Sequence, residues 1–182
     1  DLYDRDGGSE GAGEWCLMGS GSWGGDGAHP ESPAHPCAWS KIQMGWITPT
    51  ILSSDGSISV DKAETNAEAF LIYEDPFEFS RYFLVENRQQ SGYDQYLNGP
   101  GMLIYHVDEY QRNGITRWSS GPVNNDETHK MMDVEAADGN ADMDNETNRG
   151  DAGDPFPGTG SNTNFTDSST PDSKDYDGAS TG

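Results

Sequence analysis

The chain has 182 residues, with 10 Lys+Arg against 32 Asp+Glu, for a net charge of −22. That length is room for one domain with a proper core. The charge argues against nucleic acid and against anionic membrane surfaces, because both need clustered cations. No apolar run approaches the roughly 18 residues of a spanning helix, so no membrane span is expected.

Hydrophobic residues make up only 32 % of the chain and the mean hydropathy is −0.83, which is the direction of disorder. Five Trp, eight Tyr and six Phe oppose that reading. They crowd into the first two thirds and predict a folded chain with a looser C-terminal third. A surface this acidic repels itself, so bound calcium would stabilise it by neutralisation, and extracellular or saline surroundings suit it.

Residues 1–30 are rich in Gly, Ser and Asp but carry Trp15, Leu17, Met18 and Trp23, the pattern of a packed coil rather than a linker. The spacing predicts one clear helix over 33–44. Ser32 is its N-cap, Pro33 its first position and Gly45 its C-cap, with Ala34, Cys37, Ala38, Lys41 and Ile42 on one face. From Trp46 the period falls to two. Strands are predicted near 57–61, 69–73, 82–86 and 102–107, with a weaker one at 132–136 and a turn at Asn98-Gly99-Pro100-Gly101. The connections are too short for several crossover helices, so the sheet should be small and mostly antiparallel. Beyond Ala137 the chain turns to Asp, Asn, Gly, Ser and Thr with isolated Phe156, Phe165 and Tyr176. The expected class is α+β, one partial domain over 1–182. It divides into a loop-and-helix unit at 1–47, a strand-rich region at 48–136 and an acidic loop region at 137–182. Both ends look cut, since Asp1 follows no signal peptide or initiator Met and Gly182 closes no element.

Hard cations want several oxygen ligands close in chain, and three clusters answer that description. They are Asp1, Asp4, Asp6, Ser9 and Glu10; then Asp138, Asn140, Asp142 and Asp144; then Asn148, Asp151 and Asp154. The second opens like an EF-hand loop, but its twelfth position is Arg149 rather than Glu. The alternative for each is a solvated acidic loop. Cys16 and Cys37 are the only cysteines. In an oxidising compartment a disulfide between them would close a loop of about 20 residues, worth roughly 3 kcal/mol in the chain-entropy model. Otherwise they are two small buried thiols. Among His29, His35, His106 and His129 no pair stands at i, i+4, so the H-E-x-x-H zinc face is missing. His106 and Asp108 share one face at a strand end, either as a ligand or orienting pair or as a satisfied structural histidine. Neither a G-x-S-x-G elbow nor a phosphate-binding Gly loop occurs.

Six blocks in order carry a resemblance. They are Asp1-Leu-Tyr-Asp; Trp15-Cys-Leu-Met-Gly-Ser-Gly-Ser-Trp23; Pro33-Ala-His with Ala38-Trp-Ser-Lys-Ile-Gln-Met-Gly-Trp46; Tyr82-Phe-Leu-Val-Glu-Asn-Arg-Gln89; Gly101-Met-Leu-Ile-Tyr-His-Val-Asp-Glu109; and Asn148-Arg-Gly-Asp-Ala-Gly-Asp-Pro-Phe-Pro-Gly158. Together they resemble the C-terminal part of the catalytic domain of secreted zinc metallopeptidases of the immune inhibitor A family, over nearly the whole chain. The resemblance implies a zincin-like subdomain in which 1–47 holds the Met-turn. It makes Asp1 the closing Asp of H-E-x-x-H-x-x-G-x-x-D and a possible third zinc ligand, and Met18 the floor under the metal. The two zinc-binding histidines and the general-base Glu of that motif are missing, so no catalytic residue is expected in this chain.

Two functions follow as expectations. The first is a fragment of a secreted zinc endopeptidase, supported by calcium, inactive alone and completed by an upstream H-E-x-x-H segment that acts on protein or peptide substrates. The second is a non-catalytic extracellular calcium-binding structural or assembly module. A carbohydrate- or protein-binding domain has only the aromatics behind it. For Met18, both the metal-floor role and plain packing predict burial.

Overall fold

A computed structural model describes residues 2–75, 77–113 and 124–180. Its centre is a five-stranded mixed sheet in the order β1 (Thr50–Ile51), β2 (Phe70–Asp75), β3 (Glu78–Arg88), β4 (Gly101–Asp108) and β5 (Met132–Val134). β1 runs parallel to β2, and every other neighbour is antiparallel. Two short helices, α1 (Ala38–Gln43) and α2 (Glu109–Asn113), complete an α+β fold. Among the described residues no helix is long and apolar enough to cross a membrane.

Four of the predicted strands form, several of them longer than their apolar runs, because polar ladder residues at the ends add main-chain bonds without adding hydrophobicity. The strand expected at 57–61 does not form. Ile58 is 49 % exposed, and the segment reaches the sheet only at its end. There Asn87 Nδ2 donates to the Val60 carbonyl at 2.9 Å, and Lys62 bridges Asn87. The edge of β2 is occupied instead by Thr50 and Ile51. Alternation alone marks a chain able to be a strand, and the ladder goes to whichever segment reaches the edge.

The helix expected over 33–44 shrinks to Ala38–Gln43. Pro36 is the cause, since a residue before proline is pushed out of the α region and proline brings no N–H of its own. The 33–37 stretch is therefore non-helical, with Ala34 N–H donating to the Gly21 carbonyl at 2.8 Å and His35 N–H to Asp94 Oδ1 at 2.8 Å. The C-terminal signal holds. Gly45 adopts φ +70° just past the helix, and Trp46 N–H closes back on the Lys41 carbonyl at 2.9 Å.

Alternation along the strands sends side chains to two faces. On one, Leu71, Tyr82, Leu84, Leu103, Tyr105 and Val107 pack with Leu2, Trp15, Cys37, Ala38 and Met131 from the loops and α1. On the other, Phe83 and Ile104 pack with Ala137 and Phe156, bordered by Val85, Met102 and Phe165. Beyond Ala137 the described residues form no helix or strand, yet the stretch is pinned by its three aromatics. Phe156 exchanges both main-chain bonds with Met102 at 2.8 Å, Phe165 meets Phe83 edge-on at 5.1 Å, and Tyr176 stacks on His106 at 4.1 Å and on His129 at 3.9 Å.

A fully buried ion network joins the loop unit to the sheet. Glu86 Oε1 accepts from Ala38 N–H (3.2 Å), Tyr105 OH (2.8 Å) and Arg88 Nη1 (3.1 Å), while Oε2 accepts from Lys41 Nζ (3.1 Å). Arg88 also donates to Asp94 Oδ2 (2.8 Å) and to the Trp15 carbonyl (2.9 Å), and it lies 3.7 Å from Glu64. Burial pushes the Glu86 carboxyl up, but Arg88 and Lys41 outweigh it and hold it below its ordinary range. Removing one partner of such a cluster leaves an uncompensated charge in low dielectric. Arg88→Met should therefore lower unfolding free energy by about 3–5 kcal/mol, read as a fall in the urea midpoint; a shift within error would show the network to be dispensable.

Candidate functional site

The N-terminal cluster assembles differently from its spacing in sequence. The Asp4 carboxylate accepts from the main-chain N–H groups of Asp6 (2.8 Å), Gly8 (3.0 Å) and Ser9 (2.6 Å). Burial raises its pKa, but these donors win and the net shift is downward. Asp6 is pushed up by its side-chain hydrogen bond with Asp4, with repulsion from Asp4 and Glu127 adding to it. Asp4, Asp6 and Glu127 each bring a carboxylate oxygen within 4.8 Å of the others. Glu127 lies far along the chain, and no local signal could have found it. Ser9 and Glu10 turn elsewhere, Ser9 Oγ accepting from Gly11 N–H at 3.2 Å and Glu10 pairing with Arg149 at 2.9 Å. Asp1 lies outside the described residues.

The second and third clusters interleave and then split. Asn148 Nδ2 donates to Asp151 Oδ2 at 2.8 Å and to Asp142 Oδ2 at 3.4 Å. Asp138 is held by Asn140, whose side-chain amide donates at 2.9 Å. A Cβ on Gly153 would fall 2.3 Å from Asp138 Oδ2 and 2.9 Å from Asp151 Oδ1, so both carboxylates crowd that glycine. Asp144, expected beside Asp142 in the ligand set, turns instead to Lys130. That buried ammonium pairs with Asp144 and with Asp133 at 2.9 Å. A cation without water demands fixed counter-charges, and Lys130 takes the carboxylate that alternation would have assigned to a metal.

Asp154 anchors the loop to the core. Its Oδ2 accepts the Trp15 indole N–H at 2.8 Å and the Asp151 N–H at 2.9 Å. Burial raises its pKa, those two donors pull it down, and Asp151 and Asp138 push it up again, leaving it at about 6. Gly150 makes the contact possible. It sits at φ +124°, and a Cβ there would meet Trp15 Nε1 at 2.6 Å.

Met18 is 39 % exposed, against the expectation of burial. It stands in a tight loop where Gly19 N–H bonds back to the Cys16 carbonyl at 2.9 Å, and its own carbonyl accepts from Leu2 N–H at 2.9 Å. Cys16 and Cys37 are both buried, and their sulfurs lie 3.0 Å apart as hydrogen-bonded thiols rather than as a disulfide. Burial raises the Cys16 pKa, but its hydrogen bond with the Cys37 thiol and the N–H donors of Cys37 and Met18 bring it down to about 7.

His106 and Asp108 do share one face, but each is committed to its own partners. His106 Nε2 meets Glu74 Oε1 at 2.5 Å and Nδ1 meets Glu135 Oε1 at 3.2 Å. Burial lowers its pKa, yet the two carboxylates lift it to about 9. Asp108 Oδ2 accepts from Arg81 Nε at 3.1 Å and pairs with His129 Nε2 at 2.8 Å. Comparison of the chain with family models, curated proteins and solved structures finds no match.

The raised pKa of Asp154 has a consequence for stability. From an ordinary value of 3.8 in the unfolded chain to about 6 in the folded one, the native state binds the extra proton, so stability falls as pH rises through that window. Two pKa units correspond to about 3 kcal/mol. In the presence of chelator, Asp154→Asn should be more stable than the parent at pH 7 by up to that amount and lose its advantage by pH 4. Parallel melting curves at both pH values would show the carboxylate to be at ease where it lies.

Proposed function

We propose that this chain is part of a secreted zinc endopeptidase, lacking the zinc-binding helix and supplying active-site floor and substrate-binding walls, with calcium holding its acidic loops. The observation that carries the reading is the 2.9 Å bond from Leu2 N–H to the Met18 carbonyl. It sets the neighbour of Asp1 beside the methionine that the family resemblance assigns to the floor under the metal. Met18 is partly open to solvent, whereas Met131, Met132 and Met143 are buried. That exposure departs from the burial that both the floor role and plain packing predict, so the reading rests on the Leu2–Met18 bond rather than on packing.

The described residues do not fit a catalytic zinc by themselves. His29 pairs with Asp26 at 2.7 Å, and His106 and His129 are taken by Glu74, Glu135 and Asp108. His35 packs edge-on against Tyr93. Three convergent ligands with an open fourth position are the minimum for activating water on zinc, and the described histidines do not converge in that way. Among the described residues Asp4, Asp6 and Glu127 are the group that brings three carboxylate oxygens close enough to suit a hard cation. Asp151 and Asp138 lie near enough to Asp154 to raise its pKa without forming such a group. The grouping of Asp4, Asp6 and Glu127 also supports the second reading, a non-catalytic extracellular calcium-binding module, since three carboxylates converge there among the described residues. In a secreted protein Cys16 and Cys37 would meet an oxidising environment suited to closing their bond.

Two measurements test these readings. The purified chain should show no casein cleavage even with excess zinc; zinc-dependent cleavage abolished by Asp1→Ala would overturn the fragment assignment. Calcium should raise the melting temperature and chelator should lower it, with about 2.7 kcal/mol per site at a free concentration of 100 Kd. Coincident melting curves in calcium and in chelator would reduce the acidic loops to a solvated surface.

A further inference from the structure

A cavity of about 770 Å³, within the range of ligand sites, opens at the β1 edge of the sheet, far from the acidic loops in sequence. Its walls include Ile51, Ile72, Tyr73 and Phe79, with Asp55 and Glu74 as the acidic members. Three independent features converge there. The first is an unfinished ladder. The carbonyls of Ala69 and Leu71 accept from Thr50 and Leu52 N–H, each at 2.9 Å, and β1 ends at Ile51. By the two-residue repeat the next outward-facing main chain of β2 is that of Tyr73, and it fronts the cavity. The second is apolar surface, with Ile51 54 % and Phe79 63 % exposed on the rim.

The third is charge. The Glu74 side chain is 5 % exposed; Oε1 is held by His106, while Oε2 has no hydrogen-bond partner among the described residues. A buried carboxylate oxygen without a donor is costly, and native structures normally supply one. His106 cannot serve both its carboxylates fully. His106 is shared between Glu74 and Glu135, so a cationic donor reaching Glu74 Oε2 would supply the hydrogen bond that this oxygen lacks, in a chain already at −22.

We propose that this cavity binds an extended peptide segment carrying a lysine or arginine, whose main chain pairs along the open edge of β2 at Tyr73 and whose cation is drawn to the Asp55 and Glu74 end. Strand addition provides affinity through main-chain bonds, and the side-chain pocket provides selection. Residues flanking the cation rest on Ile51, Ile72 and Phe79. The proposal is independent of the zinc and calcium reading above.

The test uses the full 182-residue chain in chelator and a fluorescein-labelled acetyl-Val-Val-Lys-Val-Val-amide followed by anisotropy. The lysine peptide should bind at least tenfold tighter than its norleucine counterpart. Glu74→Gln should remove most of that preference, and so should the surface change Asp55→Asn, which leaves His106 its partners. Methylating the main-chain nitrogens of the peptide should weaken binding at least tenfold. Equal affinity for the lysine and norleucine peptides, an unchanged preference in both variants, or no binding at all would each overturn the proposal. So would n-butylammonium binding as tightly as the lysine peptide, because the edge of β2 would then contribute nothing.

Discussion

The buried pairing of Glu86 with Arg88 is the constraint on which the rest of the architecture depends. Two charges on alternate residues of β3 point into the same core, and neither can be left without counter-charge in low dielectric. Their requirements pull in Lys41 and the first N–H of α1, the Tyr105 hydroxyl of β4, Asp94 of the 3₁₀ turn after β3, and the carbonyl of Trp15. A loop unit with almost no regular structure is thereby docked in one orientation. Trp15 then passes the constraint on, since its indole reaches Asp154 and ties the acidic loop to the same core.

The heavy excess of acid is handled by three different physical means. Interior carboxylates are matched to cations, as Glu86 is to Arg88 and Lys41, and Asp108 is to Arg81, with the His129 ring as a further hydrogen-bond partner. Loop carboxylates gather main-chain N–H groups, as Asp4 does from the turn that follows it. A third group remains under strain of charge. Asp154 and Glu135 are buried and raised, and Asp6 is raised against its acidic neighbours. Binding a cation relieves repulsion of this kind, which is why calcium belongs to the proposed reading of the acidic loops.

The two ends of the sheet are finished differently. At β5 the Asn124 side chain takes both the N–H and the carbonyl of Met132, and farther along the chain Tyr176 stacks on His106 and His129. At β1 the ladder stops after two residues, and apolar side chains, an open strand edge and a half-satisfied carboxylate are left together. An edge of this kind is a template for a further strand.

The sequence by itself determined the α+β class, four of the five strands, the Gly45 stop and the acidic character of the C-terminal loops, because periodicity and turn chemistry are local quantities. The late start of α1 is local too, since Pro36 and the restriction it places on His35 are enough to move the first helical turn to Ala38. The remainder was not legible. Nothing local distinguishes Thr50–Ile51 from the alternating stretch around Ile58 as the segment that takes the edge of β2. The partners of Asp144 and Glu86 lie elsewhere in the chain, at Lys130 and at Lys41 with Tyr105, and the carboxylate that joins Asp4 and Asp6 comes from Glu127. A carboxylate's function depends on which donors and charges surround it, and those are chosen when distant segments pack. Composition set how many acids the protein must accommodate; the tertiary structure decided which are paired, which are crowded and which are left half-satisfied.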